Sequence, residues 1–121
     1  MAANTQLFEE LQADYEMSDP GTAKAIIPDR QRAVCPIVTG ASGETNTLPD
    51  PDFMGQELTI CMKTDGGGDR VVTASTAINQ TGNNTITFSD AGEFIALRAI
   101  QKGSSVVWRQ IQNDGAALST V

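Results

Sequence analysis

From Gly55 onward the chain is a series of short alternating or β-branched segments separated by glycine-bearing turns. They recur at about ten to twelve residues, the interval of strands in a β-sandwich or barrel. Leu58, Ile60 and Met62 alternate with Thr59, Cys61 and Lys63, so one face of that segment suits a core and the other a wetter surface. The turn signals are explicit: Asp65-Gly66-Gly67-Gly68-Asp69, Asn79 to Asn84, Ser89-Asp90-Ala91-Gly92 and Gln101-Lys102-Gly103-Ser104. The first predicts a hairpin leading into Arg70-Val71-Val72-Thr73. In Thr85-Ile86-Thr87-Phe88 the two large apolar residues point one way, and Ser105 to Ile111 ends the series before a short terminal extension, NDGAALSTV. The pattern predicts a mainly β protein with a small antiparallel β-sandwich or barrel-like body over residues 45–121.

Aromatic residues make up only 5% of the chain, so the core must come from Val, Ile, Leu, Met and Thr methyls. Glu93 to Ile100 is apolar on both faces apart from Arg98. A strand of that kind is central in its sheet or lies against another subunit. Phe94, Ile95, Leu97 and Ile100 are therefore the candidate oligomer-interface residues, with Trp108 as a core or interface anchor.

Residues 1–44 read as an N-terminal arm: a short helix over about residues 6–17, an extended connector and an edge strand. Leu7, Leu11 and Tyr15 recur every four residues with Phe8 beside them, a narrow apolar stripe. Ser18-Asp19-Pro20-Gly21 stops the helix, Pro28 breaks any regular element after it, and Pro36 confines Val34 to Thr39 to an edge or an irregular crossing. The net charge is −7, and five of the 15 acids (Glu9, Glu10, Asp14, Glu16, Asp19) fall in the first nineteen residues, where no Lys or Arg occurs. This acidic arm is either a solvated segment or a docking element for a basic surface.

The remaining body is nearly neutral and shows no basic patch, so the sequence predicts no nucleic-acid partner. No apolar run is long enough to span a membrane, and the first eight residues lack the start of a signal peptide; a soluble product made in the cytoplasm is expected. Zero histidines remove the most common general base and the usual zinc and copper ligand sets. Asp50 with Asp52 and Asp65 with Asp69 are the available carboxylate pairs, but they sit in small loops without an aromatic sugar floor. The Asp65–Asp69 loop has oxygens for calcium yet not the alternating acidic spacing of a helix-loop-helix site, and a simple turn is the better account. No catalytic residue, cofactor or metal is therefore expected. Cys35 and Cys61 lie far apart, and the spacing leaves open whether they pair.

The segments LPDPDFMGQELTI, NQTGNNTITFSDAGEFIALRAI and SVVWRQIQNDG resemble small β-rich virion proteins of tailed bacteriophages, among them capsid decoration (cement) proteins and trimeric fibre-base modules. The likeness covers about residues 45 to 115, and the acidic N-terminal segment resembles the arm with which decoration proteins reach across neighbouring capsid subunits. What the resemblance implies is a homotrimer on the outer surface of the capsid, bound to the major capsid protein. Leu7, Phe8, Glu9, Glu10, Leu11 and Tyr15 would then be the capsid-contact residues. The alternative is a trimeric tail-fibre or receptor- and glycan-binding module.

Overall fold

A computed structural model describes residues 15–121, which form ten strands and no helix. In chain order these are β1 (Tyr15–Glu16), β2 (Lys24–Ala25), β3 (Arg32–Val38), β4 (Glu44–Leu48), β5 (Glu57–Thr64), β6 (Arg70–Ala74), β7 (Thr85–Phe88), β8 (Phe94–Lys102), β9 (Ser105–Asp114) and β10 (Ala117–Ser119). Two five-stranded sheets, ordered β1-β3-β5-β8-β9 and β10-β7-β6-β4-β2, enclose a single apolar core. The mainly β class read from the sequence is the observed one.

The pairing is not purely antiparallel. The first six strands alternate between the sheets, and from β3 to β6 each pairs in parallel with the strand two places before it: β3 with β1, β4 with β2, β5 with β3, β6 with β4. The chain thus winds as a flattened coil for its first half. Antiparallel pairs then complete both sheets, β5-β8-β9 in one and β6-β7-β10 in the other.

Close stacking of the connecting loops explains the coil. The glycine run Gly66–Gly68, expected as a hairpin tip, instead carries the chain from one sheet to the other, because β5 and β6 never pair. It lies directly on the Thr39–Gly43 loop of the preceding turn. A Cβ on Gly66 would sit 2.2 Å from the Thr39 carbonyl oxygen, and one on Gly68 2.2 Å from that of Ser42. The Gly68 N–H donates to the Gly40 carbonyl at 2.9 Å, and the Glu44 N–H to that of Asp69 at 2.9 Å. The glycines are there for backbone-to-backbone contact, not for a tight reversal.

Residues 15–44, expected as an arm apart from the body, supply β1, β2 and β3 to the two sheets. Of the expected helix, residues 6–14 lie outside the described residues, and Tyr15–Glu16 are strand. Pro36 is tolerated within β3 for a local reason. The Val34 carbonyl accepts from Met17 and the Val38 N–H donates to Asp19, so this side of β3 faces the short β1 and the turn after it. Pro36 lies between those two residues and shares their side, where no third ladder strand requires an N–H from it. The C-terminal extension is the edge strand β10.

The core takes Leu58, Ile60 and Met62 from β5, Ile86 and Phe88 from β7 and Ile95, Leu97 and Ala99 from β8. Trp108 is buried there too and donates its indole N–H to the Pro49 carbonyl at 3.0 Å, tying β9 to the β4–β5 loop. Cys35 faces this core, while Cys61, on the neighbouring strand, is half-buried on the outer face; both are free thiols. Burial, helped by the nearby Asp19 carboxylate, pushes the Cys35 thiol up to about 11, so it packs as a small hydrophobe.

Alanine at Gly68 must force the two loops apart and should cost on the order of 2–3 kcal/mol. Alanine at Gly40, where a Cβ meets nothing within 4 Å, should be nearly neutral. Urea unfolding of the two variants checks the contrast.

Candidate functional site

The coil gives the sandwich two ends, each closed by a buried polar side chain. At one end lie the β1–β2, β3–β4 and β5–β6 loops, rich in glycine and acids. They are held together by Arg70, whose side chain is fully buried although it begins β6 beside them. Its position follows from strand phase: Arg70, Val72 and Ala74 all point inward, and at the first of these the core gives way to the stacked loops. The guanidinium donates to the Asp19 carboxylate in the first loop, to Oδ1 of Asn46 on β4 and, at 2.9 Å, to the Val38 carbonyl at the end of β3. Glu44 approaches Nη1 at 3.6 Å. Asn46 is itself buried and passes the connection on, donating to the Gly21 and Lys24 carbonyls at 2.8 and 2.9 Å. Asp19 accepts further from the Val38 and Gly21 N–H groups, both at 2.9 Å. One guanidinium thereby links three successive turns.

Gln56 does the corresponding work at the opposite end. Its buried amide donates to the Pro28 and Arg30 carbonyls, both at 3.1 Å, and accepts from the Asp52 N–H at 3.0 Å. Around it exposed apolar side chains stand among the exposed charges of Asp29, Arg30, Asp50 and Asp52. Ile27 and Met54 are each more than 60% exposed, Phe53 and Ile100 are also exposed, and the chain ends there at the exposed Val121. Tyr15 starts β1 at this end, with its ring 4.5 Å below the Arg30 guanidinium, so residues 1–14 join the sandwich here.

The candidate residues fall into separate groups. Leu7, Phe8, Glu9, Glu10 and Leu11 lie outside the described residues; Tyr15 is exposed beside Arg30. Ile95, Leu97 and Trp108 face the core of the chain itself and offer no outer contact surface, because inward phase on β8 and the indole bond to Pro49 consume them. Phe94 is half-buried on the outer face, and Ile100 is exposed. Asp65 accepts from the Gly67 N–H at 2.8 Å, a turn-forming role. Among the described residues no group of three or more His, Cys, Asp or Glu side chains converges on one point. Ile27, Phe53 and Met54 were not singled out by sequence reasoning; an apolar residue amid Pro and Asp is the signal that marks them. Arg70 was missed as well, although its in-phase spacing with Val72 was visible. A comparison with protein-family models and with curated proteins finds no match.

Burial pushes the Asp19 carboxyl upward, but the Arg70 hydrogen bond, the two N–H donors and the Arg70 charge outweigh it and hold the group below its ordinary 3.8. The folded value lies below the unfolded one. The stabilisation is therefore complete above the unfolded value and disappears as pH falls through the lower folded value. Asp19→Asn should lower stability at pH 6 by about 2 kcal/mol, the scale of a hydrogen bond to a charged group. Urea unfolding should show the difference between wild type and variant narrowing as the pH drops below the unfolded carboxylate range of about 4.

Proposed function

We propose that this protein is a structural virion component that decorates and cements a bacteriophage capsid, bridging neighbouring major capsid subunits as a homotrimer. The observation that carries the reading is the set of exposed large apolar side chains at the Gln56 end of the sandwich. Ile27, Phe53, Met54 and Ile100 are exposed at the end where residues 1–14 join. Large apolar side chains gathered at one end are a docking feature more than a solubilising one. Leu7, Phe8 and Leu11 and the acids of residues 1–14 would contribute to the same contact. Steering by the acids speeds encounter with a basic capsid surface, and the apolar contacts then hold it.

Cementing needs no chemical step. It needs a body that transmits load, and the body here is tied through buried polar groups at both ends, Arg70 and Gln56. Three contacts on one trimer turn later binding events into intramolecular ones, so the assembly leaves the capsid slowly even if each contact is weak.

Light scattering should give three times the 12.8 kDa chain mass. Removing residues 1–14 keeps β1 and Asp19, so that protein should stay folded while its cosedimentation with undecorated heads falls steeply. Met54→Asp should weaken cosedimentation without unfolding the protein. A truncated protein that saturates heads with unchanged affinity would remove the arm from the account, and a folded monomer at all concentrations would remove the trimer.

A further inference from the structure

Strand register lines four charged side chains straight across the outer face of the β1-β3-β5-β8-β9 sheet. Arg32 on β3 pairs with Glu57 on β5, Glu57 with Arg98 on β8, and Arg98 with Arg109 on β9. All four take the phase opposite to the core residues Ala33, Leu58, Leu97 and Trp108. The carboxylate of Glu57 is shared, 3.5 Å from Arg32 and 3.7 Å from Arg98. Arg98 in turn stands directly opposite Arg109, a like-charge pairing that destabilises a ladder. The β8 side of the row is thus left positive in a chain whose net charge is −7.

From β3 to β8 the surface beside this row is uncharged. Val34, Thr59 and Ala96 form the next rank, and Pro36, Cys61 and Phe94 the one after it. A depression of about 190 Å³ lies among Arg32, Glu57, Thr59, Ala96 and Ile111, and Ile111 is 58% exposed at its rim. Exposed arginines beside exposed apolar side chains match an acidic segment that carries apolar residues of its own.

The chain has such a segment. Residues 1–14, outside the described residues, hold Glu9, Glu10 and Asp14 without any Lys or Arg, and Leu7, Phe8 and Leu11 stand among them. Tyr15 pairs with Ala33, so the chain enters this sheet one residue from the level of Arg32. Arg98 is three strand spacings from that point, about 14 Å. The stretch from Tyr15 back to Glu10 and Glu9 covers about 17 to 20 Å when extended.

We propose that the outer face of this sheet is the docking surface for the chain's own residues 1–14. Glu9 and Glu10 meet Arg98, and Leu11 fills the depression beside Ile111. Covalent connection keeps the segment at high local concentration, so weak contacts suffice. The inference concerns the free protein and holds whether or not the capsid reading does; in that reading the segment leaves this face when it meets the capsid.

The test uses the full chain with a nitroxide on Gln6→Cys in a Cys61→Ser background, where the remaining Cys35 is buried. Amide NMR signals of Thr59, Ala96, Arg98 and Ile111 should broaden strongly, and those of Thr45 and Thr87 on the other sheet far less. Arg98→Glu should remove most of the broadening; its side chain is 55% exposed, so folding is not at stake. Lys63→Glu, on the same face but away from the row, should leave the broadening in place. Mixing spin-labelled protein with label-free nitrogen-15 protein should broaden the four signals much less than the label in the same chain does. Absence of broadening in the labelled chain, or full broadening after Arg98→Glu, would overturn the proposal. Equal broadening in the mixed sample would also overturn it, by assigning the face to the segment of a second copy.

Discussion

The buried Arg70 guanidinium is the interaction on which the rest of the sandwich depends. Burying a cation is costly, and it is sustained only when hydrogen bonds and a counter-charge replace the lost water. Here Asp19, Asn46 and the Val38 carbonyl do so, and they come from separate turns of the coil. The group consequently works as a register pin. If one turn slips by a residue, its side chains exchange faces and the guanidinium loses its partners. Parallel pairing between strands about twenty residues apart in sequence carries a loop-closure cost that local hairpins avoid. A specific polar lock is a reasonable counterpart to that cost.

The glycines and the lock act together. Gly66 and Gly68 let two loops approach to backbone contact, which brings the start of β6 within reach of the earlier turns. Gln56 fixes the next connection at the far end through the Pro28 and Arg30 carbonyls. Both ends of the coil are pinned by polar side chains, which leaves the far end free to expose apolar residues without loosening the fold.

Much of the strand content was legible. The period-two pattern of Leu58, Ile60 and Met62 and the pair Ile86 and Phe88 point where the alternation says they should. Pairing direction was not legible, because an Asp-Gly-Gly-Gly-Asp run suits a hairpin tip and a stacked crossover equally well. What decides between them is the Thr39–Gly43 backbone, more than twenty residues away in the chain. Residues 15–44 looked separable because of Pro28, Pro36 and their mixed composition, yet their extended backbone is what the sheet edges use. The doubly apolar β8 signalled an interior strand correctly, but Ile95 and Leu97 serve the core between the two sheets.

Amide hydrogen exchange in an Arg70→Met protein tests the central claim most directly. Met keeps an unbranched side chain and removes every guanidinium bond, while Asp19 remains partly solvated. Local opening should then appear where the lock acts. The account predicts faster exchange at Met17, Val38, Glu44 and Gly68, whose N–H groups hold the stacked turns, with Ala99 and Gln110 at the opposite end unchanged. Exchange that is unaltered at the stacked turns, or raised equally throughout both sheets, would contradict the claim that this one buried cation pins the coil.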